Sequence, residues 1–197
     1  MSETETRAQK APPIRPARPN ELVQAHRWLQ EAIETSPYYN DMFKAHEKQQ
    51  LGLPYLQRLF DVDPAHVMMI VKDDVPKGIM INSPQYGTLW LQWSYMPPEN
   101  RHAGHALAAT RAFSDYWDNG RFHKIATYTK ADNATANALL NRFGYVHVAT
   151  LDKQMFGEDY MLFEHPLTKV TEGYDHGVPS EGRLGRFKRR MKRLLGL

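Results

Sequence analysis

The sequence predicts a mixed α/β fold: a central, mostly antiparallel sheet of about six to seven strands with helices on both faces. Three observations predict it. Residues 65–96 hold three apolar runs, "HVMMIVK", "KGIMINS" and "YGTLWLQWSYM", separated by turns short enough for an antiparallel meander. Residues 104–152 then alternate helical and strand patterns, which is the signature of βαβ connections. Two helical patterns at 20–60 precede the meander, so helices enter the chain both before and after the first strands.

The elements follow in order. Residues 1–13, "MSETETRAQKAPP", are polar and proline-containing and read as a flexible arm; they carry no apolar stretch of the kind a signal peptide needs. "IRPAR" suits a short edge strand, where proline is tolerated. "PNELVQAHRWLQEAIETS" places Leu22, Ala25, Trp28, Leu29 and Ile33 at helical spacing, with Asn20 as the expected N-cap. A second helical stretch runs from about Asn40 to Phe60, interrupted at "LGLP". In the meander, "DDVP" is the first turn, and "YGTLWLQWSYM" is apolar on both faces and therefore central.

A helix is expected from about Gly104 to Asn119, with Leu107, Ala109, Thr110, Phe113 and Trp117 inward. "FHKIATYTK" is the next strand. "DNATANALLNRFG" is a helix capped by Asp132 or Asn133 and stopped by Gly144. "YVHVATL" and "DYMLFEH" close the domain as strands around a loop containing Gly157. The expected organisation is an arm at 1–13, one domain at 14–166, and a linker with a basic tail at 167–197.

Composition narrows the classes. The 197 residues are 42% hydrophobic and 24% charged, enough for an ordinary packed core. The absence of cysteine excludes disulfides and thiolate metal sites and favours a reducing, cytoplasmic setting. No apolar run is long enough to span a bilayer as a helix. The nine histidines show no metal-ligand spacing, and no metal is expected. The net charge of +3 conceals an asymmetry. Residues 181–197 hold seven Lys/Arg and one Glu, a local charge of +6, so the rest of the chain carries −3.

Chemistry points to residues 99–113, "ENRHAGHALAATRAF", where a run of bulky polar residues collapses into small ones and opens into a helix. A helix start offers unpaired N–H groups and the positive end of the dipole, a ready anion site. Gly104 removes a side chain that would block the approach, Ala103 and Ala106 leave room, and Arg101 and two histidines add positive charge. The segment is neither a Walker loop nor a dinucleotide fingerprint, since it has one glycine and no Gly-Lys-Ser/Thr ending. It reads as a cradle for a phosphate or pyrophosphate.

Arg101-His102-Ala103-Gly104-His105-Ala106 resembles the Q/R-x-x-G-x-G/A signature of the GNAT N-acetyltransferase superfamily, with Pro98 three residues ahead as in that family. Asn133, Ala136, Leu139 and Gly144-Tyr145 resemble its second signature, and the order of elements matches from Ile14 to Pro166. The resemblance implies a GNAT-like three-layer fold and acetyl-CoA as co-substrate. It implies that the backbone near Met96 bonds the thioester end, and that the N–H groups of His102, Ala103, Gly104, His105 and Ala106 hold the pyrophosphate. Arg101 flanks that cradle, and Asn133 sits near the cofactor arm.

Two departures concern catalysis. Where many members carry a tyrosine acid on the last helix, this chain has Leu140, and "LWLQWSYM" carries no strand glutamate. Tyr95 and Tyr128 are the candidate proton-transfer residues, with Glu99 and His102 as further substitutes. Trp90, Trp93 and Tyr95 are candidates for an acceptor pocket, although alternation along a strand would send some of them into the core.

The resulting expectation is an N-acyltransferase moving an acetyl group from acetyl-CoA to an amine. The alternative is a catalytically silent GNAT-fold assembly protein, such as a virion component, because GNAT-like chains occur among tailed-phage proteins. The tail "EGRLGRFKRRMKRLLGL" sets Leu184, Phe187, Met191, Leu194 and Leu195 at helical spacing among basic residues. Such a helix suits docking on a protein, a nucleic acid or an anionic membrane surface, and fits a component of a larger assembly.

Overall fold

The computed structural model describes residues 11–101, 104–169 and 183–195. Seven strands form one sheet: β1 (Ile14–Pro16), β2 (Val67–Lys72), β3 (Val75–Gln85), β4 (Thr88–Tyr95), β5 (Lys124–Lys130), β6 (Val146–Met155) and β7 (Glu158–Pro166). Their spatial order is β1-β2-β3-β4-β5-β7-β6. Every neighbouring pair is antiparallel except β4 with β5.

The helices are α1 (Leu22–Thr35), α2 (Asp41–Gln50), α3 (Leu53–Val62), α4 (His105–Trp117), α5 (Ala134–Arg142) and α6 (Arg183–Leu195). Strand alternation divides the core between the two sheet faces. Met68, Ile70, Met80, Leu89 and Ile125 pack with Phe113 and Trp117 of α4 and Leu140 of α5. Val67, Met69, Ile79 and Ile81 pack with Leu29 and Ile33 of α1 and Leu56 and Phe60 of α3. Three layers result, and β2 is apolar from Val67 to Val71 because both of its faces are covered there.

Local chemistry sets the ends. Asp73 and Asp74, both at positive φ, make the tight β2–β3 turn. Asn133 caps α5, accepting from the Ala136 N–H at 3.1 Å, and Gly144 follows that helix in the left-handed region at φ +78°. The expected cap at Asn20 is not formed. A 3-10 turn at Pro19–Glu21 precedes α1, and the Glu21 carboxylate reaches back to accept from the Arg18 N–H at 2.7 Å. Arg15 also pairs with Glu21, so this carboxylate serves the edge strand and the helix entry together.

Residues 167–169, expected as linker, are tied to the domain: Leu167 N–H donates to the His123 carbonyl, and the Asp118 carboxylate accepts from Thr168 and Lys169. Residues 1–10, 170–182, 196 and 197 lie outside the described residues, as does most of the expected arm.

Candidate functional site

The parallel pair carries the opening. β4 and β5 share three ladder positions, Thr88 with Lys124, Leu89 with Ile125 and Trp90 with Ala126. β4 continues to Tyr95 and β5 to Lys130 with no further pairing between them. The strands therefore splay into a wedge. At its vertex Thr127 Oγ1 donates to the Leu91 carbonyl at 2.8 Å.

A bulge in β4 shapes one side of the wedge. Asn82 of β3 faces Leu91 while Ile81 faces Trp93, so Gln92 is the extra residue. The bulge breaks the alternation. Leu89 and Leu91 face α4, whereas Trp93 and Tyr95 join the α1–α3 core. Trp90 and Trp93, which strict alternation would separate, thus line one cavity.

That cavity, about 260 Å³, includes Tyr39, Phe43 and Glu47 from the α1–α2 region, Trp90, Gln92 and Trp93 from β4, Tyr128 from β5, and Met155 and Tyr160 from the β6–β7 hairpin. Two observations explain why distant segments meet there. The Asn40 side chain caps α2 through the Phe43 N–H at 3.0 Å and donates to the Phe156 carbonyl at 3.3 Å. Phe43 meets Phe156 edge-on and lies over Tyr160. Helix α2 and the hairpin lean together across the wedge.

The cavity is electrostatically distinctive. Among the described residues Glu47 is its one charged wall residue, and Trp93 Nε1 donates to Glu47 Oε2 at 3.1 Å. Burial pushes the Glu47 carboxyl above the usual carboxylate range, although the indole bond partly opposes this. Burial, with Glu47 nearby, pushes Tyr39 up to about 12. Burial likewise raises Tyr160, and the negative groups around it add to the effect. Tyr160 is 2% exposed, and its hydroxyl has no hydrogen-bond partner among the described residues. A buried hydroxyl on a cavity wall without a protein partner is free to bond a ligand or a water there.

Past the end of β4 the chain enters α4. Gly104 is the N-cap, at φ +97°, and has no side chain to spend on the first-turn amides. A Cβ built there would meet nothing within 4 Å among the described residues beyond its chain neighbours. Along α4 and α5 runs a second groove of about 690 Å³, with Arg111 and Arg142 among its walls.

The candidate residues distribute as follows. Met96 is buried on the α4 side of β4. Its carbonyl accepts from Arg101 Nε at 2.8 Å, and the Arg101 guanidinium stacks over the Tyr95 ring, 5.6 Å from its centre. Arg101 therefore grips the end of β4. His102 and Ala103 lie outside the described residues. His105 opens α4, and the Ala106 carbonyl accepts from Thr110 Oγ1. The Asn133 Oδ1 is occupied as the α5 cap, while Asn137 bonds Thr129 and the Ala131 carbonyl, stitching β5 to α5.

Tyr95 is packed on the α1 side and donates to Glu31 Oε1 at 2.8 Å; it is not on the cavity wall. Burial and the Glu31 carboxylate both hold its proton on. Tyr128 is on the wall, stacked on Trp90 at 5.0 Å. Sequence reasoning missed Glu47, Tyr39 and Tyr160. Glu47 sits in a helix of polar residues, and nothing local links it to a tyrosine 113 positions later.

A seven-stranded mixed sheet with one splayed parallel pair, and a glycine-led helix following the central strand, defines a GNAT-type architecture. No family model matches the chain, and no curated protein matches it in sequence. Solved structures do match. YncA of Salmonella typhimurium, solved with its cofactor acetyl-CoA, aligns with a TM-score of 0.62 at 16% identity, over 81% of this chain and 96% of that one. The ribosomal-protein-alanine N-acetyltransferase of Brucella melitensis aligns at 0.60 and 18%, over 78% and 99%. A GNAT-family acetyltransferase of Bacillus cereus aligns at 0.55 and 13%, over 79% and 96%. The chain has the GNAT fold.

Proposed function

We propose that this chain is an N-acyltransferase that moves an acetyl group from acetyl-CoA to an amine by direct attack on the thioester. One observation carries the reading. The β4–β5 wedge lies beside a polar-lined aromatic cavity, and the glycine-led tip of α4 follows the end of β4 in the chain. A thioester and an amine entering from opposite sides would meet at the vertex. The names of all three solved likenesses include acetyltransferase, and YncA was solved with acetyl-CoA, which supports the same class.

The residues present fit the cofactor. Gly104 puts no side chain at the helix tip, and Arg111 and Arg142 against the single carboxylate of Asp115 leave the groove along α4 positive on balance among the described residues. Bound there, acetyl-CoA supplies an activated acyl carbonyl.

The chain's own work is positioning and proton handling. Past the Leu91 carbonyl, the main-chain groups of Gln92–Tyr95 that face β5 have no ladder partner, and so are available to a ligand lying in the wedge. Thr127 fixes the vertex by holding the Leu91 carbonyl. Glu47 is the carboxylate nearest to hand for taking the proton an ammonium must lose; its raised affinity for protons suits it to that task. Tyr128 and Tyr160 are wall hydroxyls able to return a proton to the leaving sulfur.

The test is calorimetry with acetyl-CoA followed by a thiol-release assay over a panel of amines. Saturable binding, lost in Gly104→Glu, with amine-dependent thiol release is expected. Absence of binding at millimolar cofactor overturns the reading.

A further inference from the structure

We infer that the acceptor is a primary ammonium carried on an aromatic or aliphatic arm, with no carboxylate beside the amine, bound in the cavity of Glu47, Trp93 and Tyr160. The inference rests on the acetyl-transfer reading and names its substrate class. Among the described residues, the cavity walls hold one carboxylate and no lysine, arginine or histidine. An ammonium is attracted there and a carboxylate is repelled. Tyr39, Trp90, Trp93 and Tyr128 present aromatic groups, which favour a cation and an apolar arm alike. Trp93 occupies one Glu47 oxygen and leaves the other for the ligand. The unpartnered Tyr160 hydroxyl supplies the remaining polar contact. A volume of about 260 Å³ admits one side-chain-sized arm, so a larger molecule would insert only its amino end.

Tryptophan fluorescence of the full-length protein tests this, titrated with phenethylamine, with phenylalanine, with phenylpropionate and with an amidated peptide opening with phenylalanine. Phenethylamine and the peptide should saturate the signal, and their relative affinities separate a free amine from a chain end. Phenylalanine and phenylpropionate should bind at least about tenfold more weakly. Glu47→Gln, which keeps the shape and the acceptor for Trp93, should weaken phenethylamine by a similar factor. Equal binding of the acid, or no effect of Glu47→Gln, overturns the inference. Amine binding without thiol release defeats the acetyl-transfer reading and leaves the site standing. Thiol release with other amines, without phenethylamine or peptide binding, does the reverse.

A separate observation concerns α6, and the geometry points to an anionic lipid bilayer as its partner. Leu184, Phe187, Met191, Leu194 and Leu195 form one stripe at three- and four-residue spacing. The helix docks the other way round. Arg193, two residues past Met191 and so near the opposite side, is largely buried and pairs with Asp61 of α3 at 2.8 Å. The apolar stripe is left outward, with Leu184 77%, Phe187 61%, Leu194 67% and Leu195 64% exposed. Lys188, Arg190 and Lys192 are exposed beside it. Residues 183–195 contain seven basic residues and no acidic one, so a second copy of the helix would be repelled. A nucleic acid would use the charge but leave the stripe bare. An anionic bilayer satisfies both, taking the stripe into the acyl boundary and the bases at the headgroups.

Flotation of the full-length protein with phosphatidylcholine vesicles, with and without phosphatidylglycerol, is the test. Binding should require the anionic lipid, fall with added salt, be lost in Phe187→Glu, and weaken about fivefold in Lys188→Gln. Equal or absent binding to both vesicles overturns the proposal. So does duplex-DNA binding that Phe187→Glu leaves intact, or a dimer that Phe187→Glu dissolves.

Discussion

Thr127 Oγ1 donates to the Leu91 carbonyl at 2.8 Å, at the point where β4 and β5 part company. The last ladder pair is one step earlier, Trp90 with Ala126, so this side-chain bond replaces the next main-chain one. It holds the mouth of the wedge at a fixed width. Thr127→Val keeps the shape but leaves a buried carbonyl unpaired, which should cost about 1–2 kcal/mol in urea unfolding. Acetyl-CoA affinity should fall with it, whereas Thr127→Ser should retain both. An unchanged Thr127→Val affinity would show that the vertex does not register on the ligand.

Gly104 separates backbone strain from ligand clash. At φ +97° any side chain is strained, although a Cβ there would meet no described residue beyond its chain neighbours. Gly104→Ala should therefore cost about 1 kcal/mol of stability with a modest loss of cofactor affinity. Gly104→Glu puts a negative charge beside the expected diphosphate and should weaken acetyl-CoA at least about a hundredfold. Calorimetry on both variants distinguishes the two effects.

Asn40 does two jobs that substitution can divide. Its oxygen caps α2, and its amide nitrogen reaches the Phe156 carbonyl of the β6–β7 hairpin. Asn40→Asp keeps the cap, loses the strap and adds a charge near Glu158. It should leave the melting temperature nearly unchanged while raising KM for the amine several-fold, with KM for acetyl-CoA unaffected. Asn40→Ala loses both functions and should also cost about 1 kcal/mol. Steady-state kinetics with each substrate varied in turn provides the check.

The strands and the cofactor side were legible because their signals are local. "HVMMIVK" reads as a strand covered on both faces, and the collapse to small residues at Gly104 marks a helix tip approached by something. The acceptor side was hidden because it is built by tertiary juxtaposition. Glu47 and Tyr160 meet through the lean of α2 against the hairpin, which no periodicity encodes. The Gln92 bulge brings Trp90 and Trp93 onto one wall and leaves Tyr95 to the α1 core, although alternation alone groups them differently. Asn20 does not cap α1 because the chain begins to turn earlier: Asn20 lies inside the 3-10 turn Pro19–Glu21, whose N-cap is Arg18.

Gly78 shows the same limit in the core. It sits in mid-β3 in an apolar run, where glycine weakens a strand. Its Cβ would stand 2.4 Å from the Tyr95 carbonyl and 2.8 Å from Met96 Cγ, so the end of β4 lies directly over it. Gly78→Ala must push that backbone aside. A loss of about 2 kcal/mol and a fall in Tm of roughly 4–8 °C are expected, with weaker acetyl-CoA binding as Met96 moves. A variant of unchanged Tm would mean that β4 can shift freely there.

His66 makes acid stability a measurable property of the fold. It is buried against Trp117, with ring centres 5.5 Å apart and planes nearly parallel. Asn82 donates its amide to the Ala65 carbonyl, so its oxygen accepts, and His66 Nδ1 must carry the proton. Nε2 has no partner among the described residues, which fits a neutral ring. Burial lowers the His66 pKa from 6.5, and the Asn82 bond and Asp63 only partly oppose this, while Arg121 adds to it. Between the lowered folded value and 6.5 the unfolded chain binds more protons than the native one. Stability is therefore full above about pH 6.5 and drains as pH falls, by up to about 1.4 kcal/mol per pH unit. His66→Gln, which keeps a donor for Asn82, should be less stable at pH 8 yet flatter between pH 7 and 5. Thermal melts across that range decide it, since parallel curves for the two proteins would place the acid-sensitive group elsewhere.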